Sequence, residues 1–349
     1  MAIASAPGKA ILFGEHSVVY PSPWMDSQPH KALAGAIQER VYVEVVRTDD
    51  GVLNVGTSIG LRCTSQKKEL YELAVKFREA FGRQPRDIAA LKALHENDAD
   101  GLAPIKLIAA LSDIDGARVY VGKPPTAVPA GAHLGSSSAA FAALAGALLE
   151  TKTAFDTGSV NELTHAGDAL VLGAPSGIDN TVVSYGGAVL YTKSDPSVAG
   201  RIDRLKINGL EMAVANTGIV SKTGDMVAKV RMRLEEDASK MALMDRINQI
   251  VAEGFDALNG GNLTKIGQLM NQNHDILSKF GLSIPQIETA RAVALNAGAY
   301  GAKGTGAYGG GCVIAVAENP QKIVDAWRAK GLDAWVTKWG EAEGARVEA

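Results

Sequence analysis

Residues 129–140 read PAGAHLGSSSAA, and the chain then runs on as AAFAALAGALL through residue 149. An Ala- and Leu-rich run of this kind has high helix propensity, so a helix is expected from about 136 to 150. A glycine-bearing turn must deliver the chain to its start. The first amides of such a helix have no intrahelical partner. Glycines let backbone N–H groups converge on an anion without Cβ interference. The helix start adds the positive end of its dipole. Ser136, Ser137 and Ser138 fall at cap and first-turn positions, where hydroxyl and amide can both reach a phosphate. Read alone, the stretch is equally an ordinary turn whose serines cap a helix. It is not a Walker loop, because no Lys-Ser or Lys-Thr follows the glycines, and it lacks the G-x-G-x-x-G of a dinucleotide site. His133 sits inside the turn where glycine would be easier. Its imidazole is expected either to strain the turn or to lie along the phosphates as a donor.

At 349 residues the chain exceeds one ordinary core, so two domains are expected. The shift in composition near 195–206, KSDPSVAGRIDRL, marks the boundary, giving domains 1–200 and 201–349. A net charge of −3 supplies no draw toward nucleic acid or an acidic membrane. Cys63 and Cys312 are the only cysteines, so there is no disulfide framework, and a reducing cytoplasm fits. The N-terminus lacks the layout of a signal peptide. The longest apolar run, 139–149, is shorter than the ~20 residues that span a bilayer.

The chain mixes strand and helix patterns. RVYVEVVRT (40–48), ARVYV (117–121), GGAVLYT, LEMAVAN, VIAVA (313–317) and AWVTKW (334–339) read as strands. Residues 66–82, 86–96 and 161–172 carry helical spacing, the last ending at Gly173 and Pro175. PSPWMDSQPH (21–30), rich in proline, reads as a surface excursion.

Two further glycine-bearing segments, APGKAILFGEHSVVY (6–20) and AKGTGAYGGGCVIAV (302–316), flank the serine turn in the chain. In this order the three resemble the signature motifs of the GHMP kinases, a family of small-molecule kinases. The second family motif runs approximately P-x-G-x-G-L-G-S-S-A. Here His133 stands where Gly is usual, and Ser138 where Ala is usual. In the third motif Tyr308 replaces the first of four glycines, and Gly304 stands where a larger apolar residue is common. Within the family, GAPSGIDNTVVSYGG (173–187), NTGIVSKTGDMV (216–227) and MNQNHDILSKFGLS (270–283) are most similar to the subfamily that phosphorylates mevalonate.

The resemblance implies an α+β, two-domain fold. The N-terminal domain would be ribosomal-S5-domain-2-like and the C-terminal one ferredoxin-like, with the site in the cleft between them. It implies ATP and Mg2+ as cofactors and mevalonate as the small-molecule substrate. A sister kinase of phosphomevalonate or another small alcohol, and a binder that no longer transfers phosphate, are the alternatives. Gly131, His133, Leu134, Gly135, Ser136, Ser137 and Ser138 would hold the nucleotide. Asp179 would take the hydroxyl proton, with Lys9 beside it to offset charge as phosphate moves. Ser137 and a helix carboxylate, here Asp168 where Glu is usual, would hold the metal. The shorter Asp168 would need a bridging water or a closer helix. Glu15, His16, Thr223, Gly306 and Ala307 would line the substrate. His165 and His274 are expected to pack on helix faces. A homodimer is compatible with the sequence.

Overall fold

A computed structural model describes residues 1–19, 29–83, 85–193 and 200–349. Most of the 21–30 excursion, and 195–199 of the expected boundary, lie outside the described residues.

The first sheet contains β1 (Ala2–Phe13), β2 (His30–Thr48), β3 (Val52–Thr57), β4 (Arg62–Gln66), β5 (Gly116–Val121), β6 (Ala188–Lys193) and β7 (Arg201–Leu205). The second contains β8 (Leu210–Asn216), β9 (Gly301–Gly304), β10 (Cys312–Val316) and β11 (Asp333–Trp339). The last strand, β12 (Arg346–Val347), returns to pair with β1. The first sheet therefore runs β12-β1-β2-β5-β3-β4, with β6 and β7 branching from the other half of β2. Among the described residues all its pairings are antiparallel except β3 with β5. The expected division at 200/201 falls between β6 and β7, which are paired in one sheet.

The second sheet has the order β11-β8-β10-β9, all antiparallel. With helices between its first and second strands and between its third and fourth, this is the ferredoxin-like plan.

Helices α1 (Lys67–Gly82), α2 (Ile88–Glu96), α3 (Ala103–Leu111), α4 (Ser136–Lys152), α5 (Thr157–Leu172) and α6 (Ile178–Tyr185) belong to the first part. The second part carries α7 (Thr223–Glu236), α8 (Met241–Asn259), α9 (Leu263–Lys279), α10 (Pro285–Asn296) and α11 (Pro320–Arg328). Helix α4 is central. It packs against β1 and β2 on one side and α5 and α6 on the other. Its small side chains allow this: Ala139, Ala142, Ala143, Ala145 and Ala147 are all fully buried. An amphipathic stripe would have left one face wet; this helix has almost none.

The two sheets share one apolar core. Trp339, at the end of β11, is fully buried and donates its indole N–H to Ala10 O at 2.9 Å. It lies flat on Gly35 of β2, where a Cβ would stand 2.5 Å from its ring. Gly340 N–H also donates to Ala36 O. These contacts set the second sheet against the strand pair that carries the first motif.

Candidate active site

Strand β1 carries Pro7, which has no amide to give to the ladder. The β1–β2 register shifts between Pro7 and Lys9, and a shift of this kind re-aims the following side chain. Lys9 is buried, and its Nζ lies 3.0 Å from Asp179 Oδ1. Asp179 sits in the first turn of α6, behind Gly177, which takes φ 91° as the N-cap. Over a third of its side chain (37%) stays open. A sheltered cation thus grips one side of a carboxylate whose other side is accessible. That is the arrangement a proton-accepting carboxylate needs.

The serine turn lies directly on Lys9. Lys9 N–H donates to Leu134 O at 2.7 Å, and a Cβ on Gly135 would stand 3.3 Å from Lys9 Cε. Gly135 takes φ 69° as the N-cap of α4, and among the described residues no side chain caps that helix end. Its first amides are therefore available to an anion. Ser137 is exposed and Ser136 half-buried, while the Leu134 side chain is wholly buried and can contribute only through its backbone. Gly131 is exposed, beneath Val220 of the 217–222 loop.

Asp168 is buried on α5, and Ser138 Oγ donates to its Oδ1 at 2.7 Å. The serine that stands where Ala is usual thus holds the aspartate that stands where Glu is usual. The resemblance names Ser137, the preceding residue, as the other oxygen that would hold the metal with Asp168. Asp168 Oδ2 is buried and has no hydrogen-bond partner among the described residues. Burial, with the Asp179 charge nearby, pushes this carboxyl up to about 8. Once Asp168 is ionised, its unpartnered oxygen and the open Ser137 hydroxyl are hard oxygen donors and fit Mg2+. Among the described residues there is no cluster of three or more His, Cys, Asp or Glu that could hold a metal. Such an ion would take its remaining ligands from phosphate and water.

The opposite wall is the third motif. Thr305 Oγ donates to Ile11 O and accepts from Ile11 N–H, stitching the motif to β1. Ala307 is buried, and both of its backbone polar groups are taken by histidines. His16 Nε2 donates to Ala307 O at 3.0 Å, and Ala307 N–H donates to His133 Nδ1 at 3.1 Å. Gly306 takes φ 74° beside His133. His133 Nε2 reaches Ser221 Oγ at 2.9 Å, and Ser221 Oγ donates to Tyr308 O at 2.6 Å. The imidazole, expected either to strain the turn or to lie along the phosphates, thus bonds at both nitrogens, and its backbone takes the left-handed φ of 62°. Burial, and then the Lys9 ammonium, hold His133 below the ordinary histidine range.

Glu15 and Lys303 form a buried ion pair, and Asn273 Nδ2 also donates to Glu15. Burial draws Glu15 up and Lys303 down, while their mutual attraction opposes both. His16 Nδ1 is buried without a partner among the described residues, and burial pushes its ring down to about 4. Thr223 is exposed at the first position of α7, two residues beyond Ser221. His165 packs edge-on to Phe81, and His274 bonds Glu288 and lies tilted against the Tyr308 ring. Sequence reasoning passed over Lys303, Ser221 and Asn273. All three stand inside quoted motifs, but nothing in their spacing distinguishes them from ordinary polar neighbours.

Residues 254–333 match the family model described as GHMP kinases C terminal. The mevalonate kinase of Pyrococcus horikoshii is 32% identical, across 99% of this chain and 97% of the relative. That of Pyrococcus furiosus is 31% identical, across 99% and 98%. The fold agrees with the Methanococcus jannaschii mevalonate kinase structure, at TM-score 0.73 and 20% identity over 97% of this chain and 98% of the other. It agrees likewise with L. major mevalonate kinase in complex with R-mevalonate, at TM-score 0.70 and 23% identity over 97% and 96%. The chain belongs to the GHMP kinases. Within them, its full-length relatives place it in the mevalonate kinase family.

Proposed function

We infer that this protein transfers the γ-phosphoryl group of ATP to mevalonate, giving 5-phosphomevalonate. The observation that carries the reading is the Lys9–Asp179 pair, 3.0 Å apart, beneath the uncapped start of α4. An alcohol does not ionise at neutral pH. As its oxygen bonds to phosphorus, the Asp179 carboxylate takes the proton. The Lys9 ammonium offsets negative charge on the moving group, and the amides of 135–138 hold the phosphates. Ser137 and Asp168 would hold Mg2+, which when bound neutralises phosphate oxygens. In this reading Glu15, His16, Gly306, Ala307 and Thr223 belong to the acceptor side, Thr223 at the surface and the other four buried. The unpartnered Nδ1 of His16 supports that reading, since a substrate hydroxyl would satisfy it.

The division into two catalytic halves is best drawn between Leu205 and Leu210, with the last strand returning to the first half. Two unpaired buried thiols, Cys63 and Cys312, suit a reducing compartment such as the cytoplasm. Among the described residues no helix is long and apolar enough to cross a membrane.

The test is ADP release with Mg2+-ATP and a panel of mevalonate, phosphomevalonate and other small alcohols. Mevalonate should be preferred, and Asp179→Asn should lose about 100-fold or more in kcat. ADP release no greater than that of Asp179→Asn, with mevalonate bound, would leave a binder in place of a kinase. Preference for another alcohol would move the substrate assignment.

A further inference from the structure

Ala307 is held by two histidines that both adopt left-handed backbone, His16 at φ 64° and His133 at φ 62°. Such a conformation is uncommon for histidine and is kept only where the surroundings require it. The two rings do different jobs. His16 donates to a carbonyl, which either protonation state of its ring can do. His133 accepts an amide proton at Nδ1, which only a neutral ring can do. The proton of His133 must then sit on Nε2, facing Ser221 Oγ, whose own proton goes to Tyr308 O. The donor order is fixed along the whole chain of bonds.

We propose that His133 is a positioning residue that latches the serine turn to the third-motif turn through Ala307 and Ser221, and that its neutral Nε2–H form is required for tight nucleotide binding. The glycines around it are cut to its shape: a Cβ on Gly311 would stand 2.5 Å from His133 Cδ2, and one on Gly306 2.8 Å from its Cβ. With glycine at 133, the serine turn would lose both side-chain bonds to the opposite wall. The charged groups facing the ring are Lys9 on β1, which opposes its protonation, Asp179 on α6, which favours it, and the neighbouring ring of His16. Protonation turns Nδ1 into a donor facing the Ala307 amide, so the latch opens as pH falls.

The proposal rests on the reading of the serine turn as the phosphate site, and its test separates the two. In ligand-free protein, 15N NMR of the His133 ring should show the neutral Nε2–H tautomer at pH 7.5. The KM for ATP should rise about 5- to 20-fold in His133→Gly, the size expected for two lost hydrogen bonds, with kcat within about twofold. His133→Asn can still accept from Ala307 through Oδ1 and tolerates left-handed backbone. It should recover part of the KM and lose the rise in KM expected of the wild type as pH falls. Ser221→Ala should raise the KM and add nothing on top of His133→Gly. An Nδ1–H or charged ring overturns the latch whatever the activity. An unchanged KM in His133→Gly, with Asp179→Asn still inactive, overturns its role in nucleotide binding while the kinase reading stands. A wild type with no kinase activity sinks that reading; calorimetric titration with ADP then judges the latch by the same variants.

Discussion

Tyr308 occupies the space that the missing side chain of Gly304 leaves open. A Cβ on Gly304 would stand 3.0 Å from Tyr308 Cε1, and the Tyr308 ring is fully buried. Two departures from the family pattern are therefore one exchange of volume across the third motif. Gly304→Leu should destabilise by about 1–3 kcal/mol through overpacking. Tyr308→Gly should cost about 3–5 kcal/mol through the cavity it leaves, less some relief at φ 66°. The double variant should cost clearly less than the two together. Urea unfolding of the four proteins measures the coupling, and strict additivity would separate the two positions.

The Glu15–Lys303 pair is completely sequestered, at 1% and 0% side-chain exposure. Removing one partner strands a charge in the core. Lys303→Met should cost about 3–5 kcal/mol, and adding Glu15→Gln should return part of it. Equilibrium denaturation of single and double variants is the measurement. A double variant less stable than Lys303→Met would contradict the account.

His16 makes stability depend on pH. Its ring falls from 6.5 to about 4 on folding, because it is buried neutral. A depressed pKa means the stabilisation is fully present above pH 6.5 and is lost as pH falls toward 4. The loss reaches ~3 kcal/mol at most. His133 shifts in the same direction and adds to the slope. Urea midpoints from pH 7.5 to 4 should fall in the wild type and fall less in His16→Asn. Parallel curves would remove His16 from the explanation.

Ser138 and Asp168 should behave as a unit. Ser138→Ala leaves Asp168 Oδ1 without its hydrogen bond in a buried setting. Loss of such an orienting partner typically weakens a metal site about 10- to 100-fold. The Mg2+ needed for half-maximal rate at fixed ATP should rise accordingly, and Mn2+ binding followed by electron paramagnetic resonance should weaken in step. Ser138→Ala/Asp168→Glu, the combination usual in the family, should recover much of both. Failure of the pair to recover either would show the two substitutions to be independent.

Much of this molecule was legible as pattern. The helix at 136, the end of α5 at Gly173 and the strands 117–121 and 334–339 follow from propensity and punctuation. The first ten residues of β2 did not. HKALAGAIQE is small and weakly strand-forming, and it is extended because β1 and β6 pair with it. GAKG of β9 is a strand only through β10. Helix α6 was hidden behind its motif, and β7 lay beyond the expected boundary.

The amino-acid sequence alone determined the chemistry available: a glycine–serine turn before a helix, a lysine on the first strand, and an aspartate two residues after a glycine. Those are local properties, set by backbone freedom and residue type. Tertiary structure alone decided which groups meet. It brought Lys9 to Asp179 across 170 residues of chain, joined Ser138 to Asp168, and set His133 between Ala307 and Ser221. Side-chain partners depend on register shifts and packing volumes set by distant segments, and no local spacing encodes those.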